Sequence, residues 1–482
     1  MTRTAARTKN QRGKHPRSVC AERPLLWMPE TELARPDPAA VFAAGLRHHH
    51  LANTAYPIAH RKTIWSFRQS PERHRELLRR AFGSPRLCLY IHVPFCERRC
   101  AFCEYTVLER HDEAAEAAYF AALEGEVELY RDLLDPGAHE LAGLDVGGGT
   151  PLLVRPERIG AVLDRIRRAF PLAAGFGMSI ETTPKIAALD PDRLAAVRAL
   201  GFERISMGLQ TVNPALLRAY GRDLHKVSYN RRAADNIRRA GFRAFNIDLM
   251  YGFAHQTVDD FAASVRYAID LAPDHITLYR MRYKGTRVAG EAGQVDLDRI
   301  NAMYHAARER LLAAGFAANP GKNVFSRIPD DPGTSRYLTE RVVWSTPYLG
   351  LGLGAQTFTN TVLGYNLGAA TKTLAPYLDA VAAGRLPLQD LYHLPPSEGM
   401  AKMIAVAFYF GQIHRGAFRR AFGRSLEACF PEAIDFVLAR GLMEYHGPSL
   451  RLTSAGADAF NGVIALFYSP RVQAHLLGLG EG

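Results

Sequence analysis

Short runs rich in β-branched and aromatic residues recur through the middle of the chain. They lie at Leu87 to Val93, Leu144 to Gly147, Met178 to Glu181, Ile205 to Leu209, Phe245 to Tyr251 and His275 to Arg280. Between them the apolar period changes from continuous to helical. Ala115, Tyr119, Leu123, Val127, Tyr130 and Leu134 recur at three and four, one stripe on one helix face, until Asp135-Pro136-Gly137 stops it. Three helix ends share one signature, at Gly201-Phe202, Gly241-Phe242 and Gly315-Phe316. Glycine there can close a helix in the left-handed conformation, and the aromatic opens the next buried element. Six strands alternating with helices predict an α/β fold with a parallel sheet and right-handed connections. Whether that sheet is open or barrel-like, functional residues are expected at the C-terminal ends of its strands.

The flanks read differently. Residues 1 to 45 lack a sustained period and are expected to form a basic, flexible tail, followed by a lead-in segment over 46–85. The formal net charge is +12, and within the first 24 residues Arg and Lys outnumber acidic residues seven to one. Half of the excess thus sits in a stretch too polar to fold, which predicts a solvated tail rather than a nucleic-acid partner. His48-His49-His50 reads as an exposed basic surface, since three adjacent residues point in different directions and cannot share a metal. The barrel-forming region is placed at 86–320. A glycine-rich extension over 321–390, centred on Trp344 to Gly364, is expected to cover one end of the sheet. From 391 to 482 helical runs precede a hairpin at Gly441 to Tyr445 and Ser449 to Leu452, a winged-helix-like order expected to pack on the barrel or cover the substrate.

With 482 residues the chain is long enough for two or three domains. No run of about 18 apolar residues predicts a membrane span, and no secretory signal is read at the N-terminus. Six cysteines do not form a secreted disulfide framework, so a reducing cytoplasm is expected. Three of them stand apart from the rest. Cys96, Cys100 and Cys103 follow the first predicted strand directly with spacing Cys-x3-Cys-x2-Cys. Zinc would need a fourth ligand, for which His92 is a poor candidate because it lies upstream on the strand. An iron–sulfur cube held by three thiolates accounts for the cluster and leaves one iron open to substrate. Cys20, Cys88 and Cys429 read as ordinary thiols.

The sequence around these cysteines resembles the radical S-adenosylmethionine (SAM) superfamily. Tyr90-Ile91-His92-Val93-Pro94-Phe95-Cys96, Gly147-Gly148-Gly149-Thr150-Pro151, Ser179-Ile180-Glu181, Ser206-Met207-Gly208-Leu209-Gln210 and Asn246-Ile247-Asp248 through Gly252 are similar to one branch of it. That branch contains the oxygen-independent coproporphyrinogen III oxidases, haem chaperones and a class of radical methyltransferases. The resemblance implies a partial (β/α)6 radical SAM barrel with a C-terminal helical, winged-helix-like domain. It implies a [4Fe–4S] cluster on Cys96, Cys100 and Cys103, whose open iron chelates SAM, and a reductant such as flavodoxin or ferredoxin. Tyr90, Gly148 and Glu181 match positions of the first SAM. Phe102, Gly149, Thr150, Gln210, Arg222 and Asp248 match a second, and the alternative for the last two is a buried salt bridge. Arg280 and Arg282, with Lys284, follow the sixth strand where substrate should enter, and suggest a carboxylated or phosphorylated substrate.

Two departures steer the expected reaction. The oxidases typically carry another cysteine two residues after the third ligand, where this chain has Glu104-Tyr105. The chaperones typically carry a His-Asn pair near the stretch that here reads Gln356-Thr357-Phe358-Thr359-Asn360. The expectation is therefore a two-SAM radical C-methyltransferase or cyclopropanase acting on a small-molecule or peptide natural product. Coproporphyrinogen III oxidation and haem delivery are the alternatives.

Overall fold

The computed structural model describes residue 27, residues 33–109 and residues 112–480. The basic stretch of the first 24 residues, Cys20 included, lies outside the described residues. The six predicted strands are all present: β1 (Arg86–Val93), β2 (Glu140–Gly148), β3 (Met178–Thr182), β4 (Arg204–Gln210), β5 (Ala244–Tyr251) and β6 (His275–Arg280). Each lies parallel to the next, in chain order. Parallel neighbours need a crossover, and helices such as Glu113–Leu133, Pro156–Ala169 and Val258–Asp270 supply it. The strands are buried on both faces, which explains why they read as continuous apolar runs. Their apolar residues and the inner stripes of the helices form one large core. Gly201, Gly241 and Gly315 close their helices with φ of 103°, 77° and 83°. This is the partial (β/α)6 barrel expected of the sequence.

The glycine-rich extension lengthens the sheet, and its segment around Lys372 also holds the cysteine loop, Lys372 donating to the carbonyls of Glu104 and Tyr105 at 2.9 and 2.8 Å. Strand β7 (Val324–Ser326) adds antiparallel to β6, while β8 (Tyr348–Leu351) adds parallel to β1. An antiparallel meander of β9 (Gln356–Phe358), β10 (Val362–Asn366) and β11 (Leu388–His393) follows, giving an eleven-stranded sheet among the described residues. The physical reason is the open edge of β1, whose unpaired amides and carbonyls need a partner. Close approach replaces bulk there: a Cβ at Gly350 would stand 2.3 Å from the carbonyl oxygen of Gln356. Cys88, inside β1, is a buried free thiol, as is Cys429.

Beyond β11 a second core forms around helix Pro396–Ala407, which is buried on nearly every side. Strands β12 (Gln412–His414), β13 (Met443–His446) and β14 (Ser449–Leu452) make a small antiparallel sheet beside helices Arg415–Phe422 and Pro431–Ala439. The expected hairpin is therefore the wing of a winged-helix-like unit. The chain's beginning joins it. Helix Pro38–Arg47 starts inside the stretch read as a flexible tail, capped by Asp37, and packs on helix Phe460–Leu466. A Cβ at Gly45 would come within 2.5 Å of the carbonyl oxygen of Asn461, and one at Gly462 within 2.7 Å of the Phe42 ring. Small residues at this crossing let the two helices touch, and the alanine-rich sequence of the first conceals its buried face. His48 is also buried, so the three histidines do not form the exposed basic surface expected of them.

Candidate cluster and cofactor site

Strand β1 hands the chain to a loop that is fixed at several points. Phe95–Cys96 pairs with Leu108–Glu109. The N–H of Ala101 donates to the carbonyl of Tyr220 at 2.9 Å, and that of Cys103 to the carbonyl of Cys100 at 3.1 Å. Arg99 donates to the carbonyl of Cys103 at 2.7 Å. His92 does not face the cysteines: its Nε2 sits 2.8 Å from the carbonyl oxygen of Thr106, and burial lowers its pKa to about 4. It pins the exit of the loop as a neutral ring.

Cys96, Cys100 and Cys103 line one cavity of about 1300 Å³, mouth included, at the C-terminal ends of the strands. Burial pushes the Cys96 thiol up to about 12 and raises that of Cys103 as well. Such thiols keep their protons unless a cation compensates them, which bound iron does. All three thiols line this one cavity, a donor set that fits an iron–sulfur cluster held by three thiolates. Thr150 Oγ1 lies 3.4 Å from the Cys96 sulfur, and Arg222 reaches the Cys100 sulfur at 3.4 Å.

The same cavity collects the other residues singled out in the sequence. Phe102, Gly148, Gly149, Thr150, Glu181 and Gln210 line it, with Arg222 and Asp248 facing them. Tyr90 stands just behind: its hydroxyl would be 3.0 Å from a Cβ at Gly147. The glycines bring backbone to the cavity wall where a side chain could not fit. Gly148 has φ +120°, and a Cβ at Gly149 would meet the carbonyl oxygen of Phe95 at 2.6 Å. The N–H of Gly148 donates to Glu181 at 3.3 Å. Burial, reinforced by Asp248, raises the Glu181 carboxyl to about 8, and burial raises that of Asp248 too.

Arg222 and Asp248 do not form the salt bridge that was the bland alternative. Arg222 donates to the carbonyl of Gly208, and Asp248 accepts from Ser206 and Asn246, each at 2.7 Å. Nε of Arg222 and Oε1 of Gln210 are buried with no protein partner, and Gln210 is held at φ +69°. A buried donor and acceptor without a partner, on side chains that line this cavity, fit a polar ligand. Arg280 and Arg282 also reach this cavity, but Arg282 is engaged by Glu104 and by the Tyr409 hydroxyl.

Some residues here escaped sequence reasoning. Ser206 and Asn246 hold Asp248, and a signal existed, since polar residues alternate at Ser206 and Gln210 and at Asn246 and Asp248 within apolar strands. His225 and Tyr279 line the cavity with no such signal, and Tyr105, marked in the sequence only as a departure from the oxidases, lines it as well. Tyr105 and Tyr279 keep 51% and 38% of their surface accessible although both lie deep in the molecule, so what they expose faces the cavity.

A sequence profile of the radical SAM superfamily matches residues 90–268. The haem chaperone HemW of Mycobacterium tuberculosis is 30% identical over 383 residues, which are 77% of this chain and 93% of that protein. The oxygen-independent coproporphyrinogen III oxidase of Cereibacter sphaeroides is 35% identical over 406 residues, 78% of this chain and 87% of its own.

The chain belongs to the coproporphyrinogen III oxidase-like branch of the radical SAM superfamily.

The coproporphyrinogen III oxidase HemN of Escherichia coli shares the fold, with a TM-score of 0.69 at 23% identity over 86% of this chain and 96% of that one. Members of the superfamily use a [4Fe–4S] cluster and SAM, and need a reductant and a substrate. None of the relatives named here is a methyltransferase, so the carbon-transfer expectation gains nothing from them. No helix among the described residues is long and apolar enough to cross a membrane.

Proposed function

We propose that this protein is a two-SAM radical enzyme that removes hydrogen from a carboxylate-bearing small molecule. The observation that carries the reading is the single cavity. Three thiols, a glycine-lined wall, the carboxylates of Glu181 and Asp248 and the side chains of Arg222 and Gln210 all line it. When bound and reduced, the cluster on Cys96, Cys100 and Cys103 supplies the electron that cleaves SAM. Tyr90, Gly148 and Glu181 are assigned to the SAM nearest the cluster. Phe102, Gly149, Thr150, Gln210, Arg222 and Asp248 are assigned to the other. Asp248, held by Ser206 and Asn246, suits a ligand ammonium, and Arg222 suits a carboxylate. A flavodoxin or ferredoxin is the proposed reductant, and the cytoplasm the proposed location.

Two readings of the substrate step are supported by different observations. Oxidation of the coproporphyrinogen III type is supported by the relative from Cereibacter sphaeroides that carries this name over 87% of its length. Carbon transfer to a small-molecule or peptide natural product is supported by Glu104-Tyr105. Tyr105 opens onto the cavity where those oxidases are expected to have a further cysteine, and Glu104 neutralises Arg282. Anaerobic turnover of the reconstituted protein decides. 5′-Deoxyadenosine with carbon dioxide and no S-adenosylhomocysteine supports oxidation. Substrate-dependent S-adenosylhomocysteine supports carbon transfer. Stoichiometric haem binding with neither product overturns the enzyme reading in favour of haem delivery.

A further inference from the structure

A second cavity adjoins the first. It holds about 920 Å³ including its opening and lies between the end of β6, helix Leu297–Ala313, the segment after helix Pro38–Arg47 and the C-terminal domain. Tyr279, Arg280 and Arg282 line both cavities, so the two share a wall. Most of the second cavity is apolar or aromatic: Tyr251, Ile300, Tyr304, Phe408 and Phe460 form its sides.

Arg280 is the feature that needs explaining. Its guanidinium donates to Asn461 Oδ1 at 2.6 Å and to His49 Nδ1 at 2.6 Å. Both acceptors are neutral, because burial and Arg280 itself lower the His49 pKa to about 4. Among the described residues no carboxylate forms an ion pair with Arg280, although burial works against its charge. Arg282, two residues on, has Glu104. A half-buried cation without a counter-charge is costly to maintain. Here it is oriented by two neutral groups brought from opposite ends of the chain, one on each side.

We propose that the second cavity is a binding seat for a ligand with an apolar body and one terminal carboxylate, and that Arg280 receives the carboxylate while the aromatic walls hold the body. The inference rests on the enzyme reading only in identifying that ligand as the substrate, whose far end then reaches past Tyr279 toward the cluster. The missing counter-charge is what selects an anion, and the aromatic lining is what selects a body larger than a free inorganic ion. Asn461 and His49 act as positioning residues that fix the guanidinium plane.

The test is calorimetric titration of the reconstituted protein with decanoate, with decan-1-ol as the neutral counterpart. Saturable decanoate binding is expected, and Arg280→Gln should weaken it about tenfold or more while changing decanol affinity little. Phe460→Trp should weaken both ligands by filling the cavity. Equal decanoate affinity in the wild-type protein and a folded Arg280→Gln variant overturns the proposal, as does the absence of saturable decanoate binding in the wild type. Folding is followed by the melting temperature and the visible absorbance of the cluster. Should Arg280→Gln fail to fold, Asn461→Asp keeps the cation and supplies it with a carboxylate. Decanoate binding should then fall, and undiminished binding overturns the proposal. Binding is read without turnover, so a wild-type protein that binds decanoate but cleaves no SAM overturns the enzyme reading and leaves the seat standing.

Discussion

The two cavities share a wall but are built on opposite plans. The cluster cavity is made from groups close to strand ends: a cysteine loop that leaves β1, the glycines that end β2, and single polar residues on β3, β4 and β5. Each is placed by the sheet itself. The second cavity is made by convergence. His49 lies 231 residues before Arg280, and Asn461 lies 181 residues after it. A site of the first kind tolerates changes in the C-terminal domain, whereas one of the second kind depends on how that domain is docked.

The largest effect expected to break this contrast is at the cysteines. Cys96→Ala, Cys100→Ala or Cys103→Ala should each abolish the cluster's visible absorbance and reduce reductive SAM cleavage by more than a hundredfold. Decanoate binding in the second cavity should persist, because none of the three lines it. Iron content and absorbance after anaerobic reconstitution check this, and a retained cluster after all three changes would refute the assignment.

Next comes the docking of the N-terminal helix. Gly45→Val drives a side chain into the backbone of Asn461, 2.5 Å from where its Cβ would stand. Overpacking of this kind costs about 1–3 kcal/mol. The melting temperature should fall, and decanoate affinity should fall with it because Asn461 and His49 lose their register, while cluster absorbance stays. Equal loss at both cavities would show that they are one cooperative unit.

Gly148→Ala strains the other cavity. With φ at +120° and the His92 ring 2.7 Å from the new Cβ, the cost is of the order of 1–3 kcal/mol. SAM binding, measured by equilibrium dialysis, should weaken and decanoate binding should not.

A pH dependence completes the contrast. The Glu181 carboxyl is raised from 4.5 to about 8 in the folded protein. Above pH 4.5 the unfolded chain releases this proton while the folded one keeps it, so the group favours unfolding progressively from about pH 4.5 to 8. Without SAM, wild-type melting temperatures should decline across that window more than those of Glu181→Gln. Parallel profiles would show that the Glu181 carboxyl is not raised in this way.

Much of the first cavity was legible in the sequence because its chemistry follows from local rules. The Cys-x3-Cys-x2-Cys spacing, the three glycines and the polar residues within apolar strands all lie at strand ends that periodicity alone located. All six strands fell where the apolar runs placed them. What was misread had no local signature. The extension over 321–390 was expected to cover one end of the sheet, and nothing in a glycine-rich stretch told that it would also pair with the edge of β1. The boundary of the N-terminal tail was drawn at 45 because Pro38–Arg47 is rich in alanine and short on contrast between its faces. His48 to His50 looked like a surface because burial depends on the C-terminal domain.

The sequence by itself determined the fold of the barrel and the place of the three cysteines, since strand period, helix caps and ligand spacing act over a few residues. Only the tertiary structure decided which arginine keeps a free charge. Arg280 and Arg282 are two residues apart with the same chemistry, but Glu104 reaches one and the neutral His49 and Asn461 reach the other. Charge compensation is a property of neighbours in space, and these neighbours come from both ends of the chain.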